Sequence, residues 1–429
     1  MDTQTPRPFS AGAIDPDFGH EGKVTLNFPN SPFSTVWGLT LTQDSKILVV
    51  GSAVGNQFIV GGLTGNGEID SSFGRDGSIV GQFRGLPSVG RSIHALSDGK
   101  LLVTGTVIAA DQLLPAVSRL LADGNFDPTF AQDGTFIFSP VKDEFAVETA
   151  TFSPTLNHLR SGDGPATQSS VLPDGKIIIS MPYASDYHGL LIRLTADGVL
   201  DSEFNGTGSV SFRYPDPSNL ITYLKSFLVT VEGEIVVCGH AELNAGAGPL
   251  LRGLLACYDM NGRLDESFGI EGFAAVESTD NITVDDVVAV DDGHFVGVGA
   301  RAGDQAPQAA IAFGTMADGN PDPGFNNGKI NALKIASRSE WYSAATTSLT
   351  QSVVVTGIAF DKQYVNQGVI VGRYLKTGEL DKQFGNGEGW TTLPPGLEPR
   401  LTLQTDGKVL ITYQTADAPR ACVISRLLG

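Results

Sequence analysis

Six histidines, seven regularly placed aspartates and three cysteines are the side chains here that could carry acid–base, metal or redox chemistry. The histidines stand at positions 20, 94, 158, 188, 240 and 294. His188 or His240 beside Asp186 could act as a general base, although a solvated loop position is the commoner role for such a residue. The aspartates are Asp15, Asp70, Asp127, Asp201, Asp265, Asp322 and Asp381. Calcium takes six to eight oxygens, and each of these positions offers one or two carboxylates, so the expected role is to accept backbone N–H bonds in the following turn. Cys238, Cys257 and Cys422 are an odd number without a CxxC pair, which suggests buried thiols and not a disulfide framework or a zinc site. No GxSxG, HExxH, P-loop or strand-turn-helix GxGxxG occurs. The sequence therefore leads us to expect no catalytic residue, no metal and no cofactor.

The aspartates belong to a repeat, and the repeat says what must position everything else. An apolar residue, Asp, two variable residues and Phe, then Gly, recurs in "IDPDFGHEG", "IDSSFGRDG", "FDPTFAQDG", "LDSEFNGTG", "LDESFGIEG", "PDPGFNNG" and "LDKQFGNGEG". The phenylalanines are Phe18, Phe73, Phe130, Phe204, Phe268, Phe325 and Phe384. Between copies lie β-branched runs such as "KILVVG", "KLLVTG" and "EIVVCG", separated by Asx-Gly pairs such as Asp98-Gly99 and Asp123-Gly124. Asx-Gly between apolar runs signals tight hairpins, for which type I′ turns are expected. Each repeat thus supplies four short strands, A to D.

Strands apolar on both faces mean a sheet covered on both sides, as flanking blades do in a propeller. The first D strand, in "GKVTLNF", has no A, B or C before it, while the last copy has A, B and C with no D after it. The predicted fold is an all-β, seven-bladed β-propeller, four antiparallel strands per blade, closed by an N-terminal strand that completes the C-terminal blade. As one domain over residues 1–429, its blades would run approximately 31–84, 85–139, 140–213, 214–277, 278–332, 333–393, and 394–429 with 12–30. Each repeat Phe is expected to pack between blades. Arg119, Arg193, Arg373 and Arg426, which precede the C–D turn, are expected to pair with structural carboxylates.

The "LDxxFGxxG", "DGKI" and "RLxxDG" texture, from Ile14 to Gly429, resembles the delta-60 repeat of uncharacterised bacterial proteins. The resemblance implies architecture and no established activity. Members of that family are often long and exported.

A formal charge of −19, with 17% charged residues, argues against nucleic acid and anionic membrane surfaces as partners. Residues 1–12 lack a cationic start followed by an apolar run, so a soluble protein is expected, a monomer, cytoplasmic or exported by a route without a cleaved signal.

Strand parity puts A–B and C–D turns on one face of the ring and B–C loops and D–A links on the other. Two repeats are lengthened on that second face, at 139–166 and at 240–250. Around them the expected ligand- or partner-binding residues are His158, Arg160, Tyr183, Asp186, Tyr187, His188, Tyr214 and His240. Arg91, Arg301, Arg338, Trp341, Tyr342 and Tyr364 would stand across the mouth. Aromatic platforms with hydrogen-bonding groups suit a carbohydrate or protein partner. The expected function is a non-enzymatic recognition scaffold; the alternative is a hydrolase or lyase at the channel mouth of the same face.

Overall fold

The computed structural model describes residues 10–29, 33–109, 112–139, 167–182, 188–246, 248–291, 293–303, 308–348 and 350–429. These residues form seven four-stranded antiparallel sheets, one per repeat, arranged as a seven-bladed β-propeller. Blade 1 is typical: A is Phe33–Leu41, B is Ile47–Ala53, C is Gln57–Leu63 and D is Ser78–Gly81. No helix among the described residues is long and apolar enough to cross a membrane.

Blade 7 takes A, B and C from Gly396–Leu403, Val409–Thr415 and Cys422–Leu427, and D from Lys23–Thr25. The register sets Lys23 against Ser425, Val24 against Ile424 and Thr25 against Val423. The closure extends past this strand into the turn beside it. Gly12 N–H donates to Leu428 O (2.8 Å) and Leu428 N–H to Ala13 O (2.9 Å). In blade 2, Gly124 to Leu121 (2.9 Å) and Leu121 to Asn125 (2.8 Å) make the same pair of bonds. Residues 10–13 and 428 thus build across a chain gap the turn that other blades build continuously.

The Asx-Gly turns differ from the type I′ expectation. Only the glycine has positive φ, as at Gly67 (87°) and Gly124 (87°), and its N–H closes a turn onto the residue three back, Gly67 to Thr64 at 2.9 Å. This is a type I turn followed by a left-handed residue, the three-residue hairpin loop. The Asx keeps a negative φ, and where it is Asp123 its side chain also serves the turn, Oδ1 accepting from Asn125 N–H at 2.9 Å.

Every motif aspartate caps its own turn, accepting the N–H two residues on at 2.7–3.1 Å. In four blades the second carboxylate oxygen receives Arg Nε at 2.8 Å, in Arg119–Asp127, Arg193–Asp201, Arg373–Asp381 and Arg426–Asp15. The guanidinium also lies over the motif phenylalanine, 4.7–5.0 Å from its centre. Six of the phenylalanines are at most 1% exposed. Their rings abut the next blade's turn glycine: a Cβ on Gly198 would lie 2.6 Å from Phe130. Glycine is required there both by positive φ and by this approach. Phe73 is the exception and is only half-buried. The three cysteines are free and buried.

The lengthened repeat of blade 4 is also not the loop it was expected to be. B (Glu234–Asn244) and C (Pro249–Asp259) stay paired out to Asn244–Pro249, so most of 240–250 is hairpin, because both arms can satisfy their backbone groups in the ladder. The 140–166 segment lies outside the described residues.

Removing residues 1–29 leaves blade 7 with three strands, an exposed edge and no carboxylate partner for Arg426. The expected result is a broadened, lower-temperature melt with aggregation. An unchanged melting temperature by calorimetry would show that this closure does not hold the ring.

Candidate functional site: the channel belt

Strand A carries a β-bulge at matching places in six blades. The register slips between Val36 and Gly38, Gly90 and Ser92, Leu224 and Ser226, Val284 and Asp286, Trp341 and Ser343, and Leu397 and Arg400. The extra residues are Trp37, Arg91, Lys225, Asp285, Tyr342 and the pair Glu398–Pro399. The glycine ending the "VVxG" runs is the counterpart of this bulge. A Cβ on Gly51, Gly105, Gly239, Gly299 or Gly357 would lie 1.8–2.1 Å from a strand A carbonyl oxygen. Glycine in strand B therefore allows the neighbouring backbone to fold over and re-aim one strand A side chain.

Bulge residues from neighbouring blades meet in the channel. A cavity of about 190 Å³ is lined by Trp37, Arg91, Ser92, Gln168, Ser169, Ser343 and Arg400, from blades 1, 2, 3, 6 and 7. The Arg91 guanidinium lies 3.9 Å from the Trp37 ring centre. Arg91 Nε and Trp37 Nε1 are buried without a hydrogen-bond partner among the described residues. Burial, opposed by Glu398, pulls the Arg91 pKa down to about 10. Across the channel, Asp286 Oδ1 accepts from Ser226 Oγ (2.7 Å) and Oδ2 from Ala344 N–H (2.9 Å), tying blade 5 to blades 4 and 6. Burial pushes this carboxyl above its ordinary range despite those bonds. Lys225 sits 3.8 Å from Asp285, and Tyr342 Oη donates to Glu340 at 2.6 Å.

The expected site residues fall into separate groups. His188, Tyr214 and His240 gather around Thr222 on blades 3 and 4. His188 bridges Thr222, the Tyr214 N–H bonds Thr222 Oγ1 at 3.1 Å, and Thr222 pairs beside Tyr223–His240. Tyr214 packs edge-on against Phe273, 5.5 Å between centres, as part of the core margin. The His240 ring stacks on Tyr223 at 4.9 Å, and its buried Nδ1 has no hydrogen-bond partner among the described residues. Arg338 lies 3.3 Å from the Tyr364 ring centre on blade 6, and Arg301 pairs with Asp280 at 3.7 Å on blade 5. Trp341 is not at the mouth: it is fully buried between blades, its Nε1 donating to Tyr374 Oη at 3.2 Å, while the bulge sends its neighbour Tyr342 inward. His158, Arg160, Tyr183, Asp186 and Tyr187 lie outside the described residues. No group of three His, Cys, Asp or Glu side chains among the described residues could hold a metal.

One family model agrees with the propeller architecture. A family model described as "Domain of unknown function (DUF5122) beta-propeller" matches residues 96–130 and 172–204. No curated protein matches the sequence. Among solved structures, the polysaccharide lyase Uly1 is 10% identical over 99% of this chain and 94% of its own, with a TM-score of 0.47. The NanB sialidase from Streptococcus pneumoniae is 10% identical over 78% of this chain and 67% of its own, with a TM-score of 0.39.

Burial, reinforced by Lys225, holds the His240 pKa well below 6.5. The unfolded chain takes up a proton at this residue near 6.5 while the folded chain does not, so stability falls as pH drops below 6.5. His240→Phe keeps the stack on Tyr223 and should reduce that loss. Urea unfolding at about pH 7.5 and about pH 5.5 checks it: an unchanged pH dependence would place the His240 proton elsewhere.

Proposed function

We propose that this propeller is a non-enzymatic recognition scaffold that seats a glycan or protein segment at the channel, approached from the face of the B–C loops and D–A links. The observation carrying this reading is the Trp37–Arg91 pair, an aromatic plate under a guanidinium, with two buried donors turned toward a polar cavity. Buried donors without partners cost about 1–3 kcal/mol each, and a ligand oxygen offsets that cost on binding. An aromatic face beside fixed donors and acceptors suits a hydroxyl-rich ring or a peptide carbonyl.

A glycan and peptide array probed with the full chain tests it. Arg91→Leu is expected to weaken any hit by about tenfold or more, and removal of residues 140–165 to weaken it further at unchanged melting temperature. Hits retained by both variants would end the proposal. A second reading, a hydrolase or lyase in the same channel, draws on the raised Asp286 carboxyl beside the Ser226 hydroxyl. It requires turnover of a bound glycan that Asp286→Asn abolishes while binding persists.

A further inference from the structure

One seam departs from the other six. Elsewhere the N–H after the motif phenylalanine donates to a turn carbonyl of the next blade: Gly19 to Asn66 (2.9 Å), Ala131 to Asp197 (2.7 Å), Asn205 to Asn261 (2.7 Å), Gly269 to Asp318 (2.7 Å), Asn326 to Thr377 (2.8 Å) and Gly385 to Ala11 (2.9 Å). Between blades 1 and 2 the equivalent bond, Gly74 to Asp123, is not formed. Phe73 lies over Gly62 of its own blade, and a Cβ on Gly124 would meet Ile79 instead of the Phe73 ring. A cavity of about 450 Å³ occupies this seam on the face of the Asx-Gly turns.

The full seams show what fits there. Arg119 donates Nε to Asp127 Oδ2 (2.8 Å), Nη1 to Ala196 O of the next blade (2.8 Å) and Nη2 to Thr129 Oγ1 (3.1 Å), over the face of Phe130. Arg426 repeats the pattern with Asp15 (2.8 Å), Gly65 O (2.7 Å) and Phe18. In blade 1 the arginine position is Gly62, yet the counterparts of its partners, Asp70, Ser72, Phe73 and Ala122, all line the cavity. Lys46 holds Asp70 Oδ2 at 2.8 Å. In the arginine-bearing blades Lys100, Lys176 and Lys408 lie 3.2, 3.1 and 3.3 Å from the oxygen that also receives Arg Nε, so the carboxylate accommodates both cations. Loss of the arginine does not by itself open a seam: blade 5 has Gly314 at that position, and Phe325 is buried and its seam bonded.

We propose that the blade 1–blade 2 seam binds a ligand carrying a guanidinium group, which takes the place of the side chain missing at Gly62. The planar fork matches a carboxylate, a hydroxyl and a carbonyl arranged around an aromatic face, where an ammonium would satisfy fewer acceptors. The net charge of −19 favours approach of a cation. This site is separate from the channel and does not depend on the function proposed above.

Titration calorimetry on the full chain at low salt, with agmatine, N-acetylarginine amide and putrescine as probes, tests the proposal. Both guanidines should bind at least about tenfold more tightly than putrescine. Gly62→Arg, whose side chain fills the site once Phe73 moves off Gly62, should abolish binding, and Asp70→Asn should weaken it about tenfold or more even if Gly62→Arg fails to fold. Tighter binding of the amide assigns the ligand to a peptide arginine; tighter binding of agmatine assigns it to a free alkylguanidine. Equal binding of putrescine, no saturable binding of either guanidine, or undiminished binding by Asp70→Asn would overturn it.

Discussion

The pairing of Lys23–Thr25 with Cys422–Leu427 is the interaction on which the ring depends. Each blade is apolar on both faces, so a terminal blade with three strands would leave an open ladder and bare core. With the fourth strand in place every sheet has two neighbours, and the hydrophobic clusters run from blade to blade, as in the group joining Phe18 and Phe28 to Val49 and Ile424. The seam chemistry follows from that geometry. Phenylalanine enters the next blade's turn, glycine makes room, and aspartate fixes the turn from which the phenylalanine projects. Where arginine is present it binds its own blade's carboxylate and the next blade's carbonyl, joining two sheets through one planar group.

The channel rests on a different coupling, between a glycine in strand B and a bulge in strand A. Because the bulge adds one residue, the side chains before and after it face opposite ways: Trp341 is core and Ser343 lines the channel cavity. The polar belt is therefore produced by the same local backbone device in most blades, while its chemistry is set blade by blade, with Trp37, Arg91, Lys225, Asp285 and Tyr342 at matching positions. Blades 3 and 7 have Met181 and Tyr413 at the strand B glycine position; blade 7 carries a two-residue bulge, and the described strand A of blade 3, Ser169–Val171, begins past the point where the other blades slip. Blade 3 contributes Gln168 and Ser169 to the cavity, at the positions that Ser92 and Ile93 hold in blade 2.

The fold was legible because the repeat is written out seven times and its interruption reveals the closure. The aspartate caps and arginine pairs were legible for the same reason. The channel was less so. A polar residue in "VGRSIHA" reads equally well as the outward member of an alternating strand, and a bulge shifts facing by one residue without any compositional sign, which is why Trp341 was placed at the mouth. The strand B glycines were the available signal, since nothing in a β-run otherwise favours them. The turn type was missed because Asx-Gly serves both the type I′ hairpin and the type I turn with a following left-handed residue. The open seam left only one trace in the sequence, glycine in place of arginine at position 62, and blade 5 has the same replacement with a closed seam.

Asp15 and Arg426 are 411 residues apart in sequence. Bringing such distant segments together costs about 5 kcal/mol of loop-closure entropy, which the short D strand and one buried ion pair must help recover. Contacts of this separation form slowly. On this ground blade 7 is expected to close last, after blades 1 to 6 have assembled from local hairpins into an arc with two unpaired flanks.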